Sequence, residues 1–133
     1  MSQCTREWTR KNSEIESAWE GEPGVTPVAC VPMSASESWL VADSDVWEAF
    51  GLADVTKLPP SPELIWGNRN DPDGDHPHRL FARLCVEAGI PDNAETRASL
   101  ASGTNPTVLS NKCPISFPPF RDAIESVKNP EQP

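Results

Sequence analysis

The stretch VTPVACVPM at residues 25–33 decides the fold prediction, because it is the one segment with the character of a β-strand. It is short, rich in β-branched residues and free of charge, which favours a strand buried on both faces, as in a parallel sheet. Pro27 and Pro32 restrict its hydrogen-bonded part to the middle or place it at an edge. Either this stretch is not a sheet strand, or its partner strands lie outside this chain. We favour the second interpretation, with strands from a partner protein, a second copy or a missing N-terminal region.

The remainder of the chain predicts helices from its hydrophobic periodicity. An amphipathic helix is expected over residues 5–19, and a second one opens at Pro77 and stops at Gly89. Residues from Leu100 to Asn111, which contain Gly, Asn, Pro and Ser, are expected to end one helix and then be irregular. Shorter helices are predicted after Ser34, after Asp43 or Ser44, at Ser61-Pro62-Glu63, after Asp92 or Asn93, and from about Pro118.

These elements predict a mainly α fold with one or few short strands. Residues 1–24 form an N-terminal helix and linker in this prediction. Residues 25–127 form a single helical domain with one core strand, and residues 128–133 form a disordered tail.

Composition narrows the classes of partner. The chain has 11 basic and 20 acidic residues, a net charge of −9, so binding of nucleic acid through a basic surface is disfavoured. A divalent metal could still turn carboxylates into a phosphate site, or the acidic surface could imitate nucleic acid; solubility alone is the simpler explanation. We expect no membrane span and no secretory signal, hence a cytoplasmic protein. The four cysteines lack zinc-binding spacing, and Cys30 and Cys85 fall in apolar patterns typical of core thiols.

The polar loop at residues 67–76 contains candidate metal ligands. Asp73, Asp75, His76 and His78 alternate with other residues and suggest a loose metal site. The competing interpretation is a helix N-terminus, in which acids complement the helix dipole and Asp75 or His76 provides the cap.

The helix that follows this loop adds candidate contacts. Arg79 and Arg83 lie four residues apart and could grip a phosphate, or pair with Glu87 one turn later. His78 and Asp75 could form an acid/base pair. The sequence places no Ser or Cys nucleophile beside them, so hydrolase chemistry lacks support.

Glu37 is the candidate catalytic and metal-binding residue, because it lies just past the carboxyl end of the predicted strand. Sites of α/β sheets form at that end, where a carboxylate could hold a divalent ion together with acids from adjacent strands. The alternative is that Glu37 completes a capping box with Ser34.

Two segments carry a resemblance to a known family. The run VPMSASESWLVADSDVWEAFG at residues 31–51, and LSNKCP at 109–114 followed by Phe117, Phe120 and Arg121, resemble uncharacterised bacterial TOPRIM-like proteins. Those proteins are similar to the nuclease halves of overcoming-lysogenization-defect proteins and occur near defence and mobile-element genes. The resemblance covers about residues 25–127 and implies that this chain is the C-terminal portion of an α/β TOPRIM-like domain.

The resemblance also implies what is missing. TOPRIM domains hold Mg²⁺ with a glutamate on a first strand and a later D-x-D, and of these acids only Glu37 matches a candidate position. One carboxylate cannot build a two-metal site. We therefore expect a truncated or split TOPRIM-like defence protein with no nuclease activity or cofactor of its own, which would become a Mg²⁺-dependent nuclease if a partner completed it.

Two alternatives remain open. The first is an acidic, non-enzymatic binding protein of phage or plasmid type, either a nucleic-acid mimic or an inhibitor. It rests on the net charge and on the acids in residues 7–54. The second is a small helical protein whose charge only confers solubility.

Overall fold

The computed structural model describes residues 3–18 and 36–128, and these residues are mainly helical, as predicted. No β-strand occurs within them; the predicted strand at 25–33 lies outside the described residues, as do residues 129–133. The helices are α1 (Gln3–Ala18), α2 (Ser36–Leu40), α3 (Ser44–Ala49), α4 (Pro77–Ala88), α5 (Ala94–Gly103), α6 (Pro106–Lys112) and α7 (Phe117–Lys128), with 3₁₀ turns at Val55–Lys57 and Pro62–Leu64.

The N-terminal helix α1 confirms the helix predicted at 5–19. Trp8 on its expected apolar face is buried, whereas Ile15 on the same face is exposed. Arg10 and Glu14 form an exposed ion pair across one turn, with Nε and Oε1 3.8 Å apart, and such pairs add little stability. Neither α1 nor any other described helix is both long and apolar enough to cross a membrane.

The main core forms where α2 and α3 meet α4 and α5. Trp47 and Phe81 are fully buried at its centre and pack edge to face, with ring centroids 5.7 Å apart. The Trp47 indole N–H donates to the Leu40 carbonyl at 2.8 Å, so the buried indole keeps a hydrogen-bond partner. The buried members of this core are Val41, Val46, Trp47, Leu52, Phe81, Leu84, Cys85 and Leu100.

Helix α4 has the boundaries that the sequence predicts. Pro77 occupies its first turn, and Gly89 ends it with a left-handed φ of 72°. Gly51 has a φ of 110°, and a Cβ there would lie 2.8 Å from the Ala88 carbonyl oxygen. Gly51, after α3, and Gly89, after α4, both adopt a positive φ that favours glycine.

The prediction of an irregular stretch ending at Asn111 is wrong, because α6 occupies residues 106–112. Asn105 caps this helix by accepting a hydrogen bond from the Thr107 N–H, and Pro106 is the first helical residue. Asn followed by Pro is typical of a turn, but the same pair can open a helix, as it does here. Helix α6 belongs to a second buried cluster of Ala42, Leu109, Cys113 and Phe117, against which Trp39 and Phe120 pack.

Candidate functional site

Glu37 lies in the first turn of α2 and joins three helices. Its side chain is buried, at 6% exposure for the residue. Its Oε1 accepts a hydrogen bond from the Arg97 guanidinium on α5 at 2.9 Å and lies 3.4 Å from His78 Nδ1 on α4. Its Oε2 lies 3.4 Å from the Ser36 hydroxyl, which donates to it. Glu37 therefore anchors α2 to α4 and α5, and Ser34, its predicted capping partner, lies outside the described residues.

The surroundings of Glu37 favour its ionised form. Burial by itself would raise the pKa of the carboxyl group, since desolvation disfavours charge. Hydrogen bonds from its own backbone and from His78, with the charges of Arg97 and His78, outweigh burial and lower the pKa below its ordinary value of 4.5. Glu37 is thus a stable anion at neutral pH with a cation already bound to it.

Arg97 was not predicted from the sequence as a site residue. It bonds to two acidic side chains, Glu37 and Asp92. Its Nε and Nη2 donate to Asp92 Oδ1 at 3.3 and 3.0 Å, and its Nη1 donates to Glu37. Its guanidinium carbon lies 4.9 Å from the centroid of the Phe81 ring, a distance that suits a cation–π contact. Burial opposes the charge of Arg97, but the bonds and charges of Asp92 and Glu37 prevail and raise its pKa.

The structure does not bring the predicted loop ligands together. Asp73 and Asp75 are exposed, whereas His76 is buried and caps α4, where its Nδ1 accepts from the His78 N–H at 3.1 Å. His78 faces Glu37 and not Asp75, with which it could have formed an acid/base pair. Within residues 3–18 and 36–128, no three His, Cys, Asp or Glu side chains are grouped so that they could hold a metal ion. Of the two interpretations of this loop, the structure supports the capped helix N-terminus.

Arg79 and Arg83, the candidate phosphate contacts, bind the loop that precedes their helix. Arg79 Nε donates to the Arg69 carbonyl. Arg83 Nη1 donates to the carbonyls of Pro72 and Gly74 at 2.9 and 2.6 Å. These bonds, from Nε of Arg79 and Nη1 of Arg83, help to shape the loop, which is a structural role. The predicted pairing with Glu87 is replaced by a bond from Lys57 to that carboxylate at 2.9 Å.

A second buried carboxylate, Glu63, was also missed by the sequence analysis. It is 2% exposed and accepts the backbone N–H groups of Ile115 and Ser116, each at 3.0 Å. The Ser116 hydroxyl donates to Glu63 at 2.8 Å and accepts from the Trp39 indole N–H at 2.9 Å. Glu63 therefore holds the turn that leads into α7 and, through Ser116, fixes the position of Trp39.

The two described thiols are inert. Burial raises the pKa of Cys85 to about 11, helped by the charge of Asp92, and that of Cys113 to about 12, helped by the charge of Glu63. A thiol with such a pKa is almost entirely protonated at neutral pH and is a poor nucleophile. This agrees with the expectation that Cys85 is an ordinary core thiol.

A cavity of about 490 Å³ opens beside the Glu37–Arg97 ion pair, and we call it the apolar groove. Its aromatic side is formed by Trp39, Phe117 and Phe120, whose rings contact one another at centroid distances of 5.3 to 6.3 Å. Arg97 contributes the only charged side chain among its lining residues. The described lining residues are Ser36, Trp39 and Leu40 of α2, Arg97 and Ala101 of α5, Thr104 directly after α5, Pro106 and Leu109 of α6, and Phe117 and Phe120 of α7.

Comparisons of this chain with protein-family models, curated proteins and solved structures found no match.

Proposed function

We propose that this protein is a non-enzymatic binding protein whose ligand occupies the apolar groove. The observation that carries the proposal is the groove itself. Its volume lies within the several-hundred-Å³ range of small-molecule sites, and its lining is apolar apart from a few polar groups at fixed positions. Of the functions that the sequence leaves open, this one belongs to the binding-protein class, with the ligand site in the groove and not on the acidic surface.

The walls of the groove are held in place by side-chain hydrogen bonds, which favours a preformed site. Trp39 is fixed through Ser116 to Glu63, and Arg97 is fixed by Glu37 and Asp92. A ligand that enters such a site need not immobilise these side chains, so less of the interaction energy is lost to ordering.

The surroundings of Glu37 do not favour its predicted catalytic role. A divalent cation is held by oxygen ligands, whereas the neighbours of the Glu37 carboxylate are a guanidinium, an imidazole and one hydroxyl. This donor set does not fit Mg²⁺. The relationship to TOPRIM-like nucleases stays a prediction. Plasmid cleavage with Mg²⁺ tests the expectation that the chain has no nuclease activity of its own: we expect no nicking, and nicking by the native chain that is lost in Glu37→Ala would contradict it.

The groove can be tested with a matched pair of small residues on α5. Ala101 and Ser102 are consecutive and both exposed, but only Ala101 lines the groove. A Trp at position 101 should fill the groove without disturbing the buried core, and a Trp at position 102 controls for the change in helix surface. The probe is indane, a neutral hydrocarbon, titrated into the full chain labelled with ¹³C in its methyl groups.

We expect indane to shift the methyl signals of Leu40, Ala101 and Leu109 in the native protein, and those of Leu40 and Leu109 equally in Ser102→Trp. In Ala101→Trp its affinity should fall at least about tenfold, the equivalent of about 1.4 kcal/mol. Equal affinity in both variants, or no shift at these methyl groups in the native chain, would overturn the proposal.

A further inference from the structure

We infer that the apolar groove selects neutral ligands that carry a hydrogen-bond-accepting oxygen, such as a ketone, ester or amide, on an apolar body. This inference rests on the proposed function, since it specifies the ligand class of the same groove. It follows from which donor groups of the polar lining residues already have a hydrogen-bond partner and which do not.

Arg97 is the donor that the groove offers. Its bonds to Glu37 and Asp92 use three of the five N–H groups of a guanidinium. One N–H on each terminal nitrogen has no partner among the described residues, and the side chain is 30% exposed. An oxygen on a ligand in the groove could accept these hydrogen bonds.

The other polar lining residues have committed their hydroxyl hydrogens. Thr104 Oγ1 donates to the Leu100 carbonyl at 2.7 Å, and Ser36 Oγ donates to Glu37. Each hydroxyl has one hydrogen to give. Among the described side chains that line the groove, uncommitted N–H donors therefore remain on Arg97.

Charge favours a neutral ligand over either kind of ion. A cation would meet the Arg97 guanidinium, because none of the described residues that line the groove is acidic. An anion would meet a guanidinium whose positive charge is already balanced by the carboxylates of Glu37 and Asp92. Either ion would also lose its hydration in an apolar site, which costs far more than desolvating a carbonyl group.

Four probes on one bicyclic scaffold test this inference with the full native chain. They are indane, 1-indanone, indane-2-carboxylate and 2-aminoindane, which differ in the presence of an acceptor and in charge. Titrations followed by methyl NMR give four dissociation constants. We expect 1-indanone to bind at least about tenfold more tightly than indane, as one net hydrogen bond to a charged donor predicts. Both ions should bind more weakly than 1-indanone.

A double variant assigns the preference to Arg97. Glu37→Gln with Arg97→Met removes the guanidinium and the buried charge together, so no carboxylate is left buried beside a missing cation. In this variant the ratio of the indane and 1-indanone dissociation constants should fall to about one, while indane still binds. A purely structural role of Arg97 would weaken both probes and leave their ratio unchanged.

The outcomes separate the two proposals. Equal binding of indane and 1-indanone to the native chain, or tightest binding of either ion, overturns the selection of neutral acceptors and leaves the groove as a ligand site. A preference for 1-indanone that survives in the double variant overturns the role of Arg97. If none of the four probes binds, both the inference and the proposed function fail. Should the double variant not fold, the four native constants still decide the ligand class.

Discussion

Glu37 and Glu63 are both the second residue of a short helical turn and both are buried, yet their charges are compensated differently. Glu37 receives a guanidinium and faces an imidazole from two other helices. Glu63 receives two backbone N–H groups and a hydroxyl at the start of α7. The first arrangement is an ion pair that salt and pH can modify, and the second consists of neutral dipoles fixed by the backbone. Each carboxylate supports one side of the apolar groove, Glu37 through Arg97 and Glu63 through Trp39.

Removal of the Glu63 carboxylate should have the largest effect on stability. Glu63→Ala leaves the N–H groups of Ile115 and Ser116 and the Ser116 hydroxyl without their acceptor. We expect the free energy of unfolding to fall by about 4 kcal/mol, since each unsatisfied buried donor costs about 1–3 kcal/mol and the losses overlap. Urea denaturation measures it. Glu48→Ala, an exposed glutamate on α3, serves as the control and should change stability by less than about 0.5 kcal/mol.

Loss of the cation at the other carboxylate should cost less. Arg97→Met leaves the buried Glu37 carboxylate without its guanidinium. The cost is reduced because the Arg97 side chain is 30% exposed, so water can reach the space that it leaves. We expect a loss of about 2 kcal/mol, and a smaller loss when Glu37→Gln is added, because the unpaired charge is then removed. Additive losses in the double variant would show that the two side chains are not coupled.

The lowered pKa of Glu37 makes the stability of the folded protein depend on pH. Its pKa is lower in the folded chain than its ordinary value of 4.5, so its contribution to stability is fully present above pH 4.5 and is lost as pH falls through the folded pKa. Native protein should therefore lose more stability than Glu37→Gln on acidification below pH 4.5. Urea titrations at a series of pH values test this, and parallel curves for the two proteins would be evidence against it.

His76 should produce a smaller effect at higher pH. Burial, with the charge of Arg69, lowers its pKa below the ordinary value of 6.5. Its contribution to stability is present above pH 6.5 and is lost as pH falls through the lower folded pKa. His76→Asn keeps a residue able to cap α4 and removes the titration. The decline of stability that begins below pH 6.5 should be weaker in this variant, and an unchanged decline would assign it to another group.

The same two glutamates show how far sequence reasoning reaches in this chain. Helix α4 is predicted with its correct ends, because Pro77, Gly89 and an apolar stripe are local signals. Glu37 is a candidate because of its place after the predicted strand. Its partner Arg97 lies 60 residues away, and the sequence around either residue contains no signal that predicts the pair. Glu63 and the Ser116 N–H that it accepts are separated by 53 residues, so this contact has no local signal either.

The groove itself was beyond prediction, because its lining comes from four helices and depends on α6. The pair Asn105-Pro106 falls in the stretch predicted to be irregular, so the helix that supplies Pro106 and Leu109 is absent from the predicted fold. A periodic pattern identifies which face of a helix is apolar, but it does not tell where several such faces stop short of touching. The space between the helices depends on how they pack in the tertiary structure.

A crystal structure of the full chain with 1-indanone tests the central claim most directly. The account predicts the bicyclic ring between Trp39, Leu109 and Phe117, with the ketone oxygen within hydrogen-bond distance of the Arg97 guanidinium. A ligand bound elsewhere on the protein, with the groove left empty at saturating 1-indanone, would contradict it.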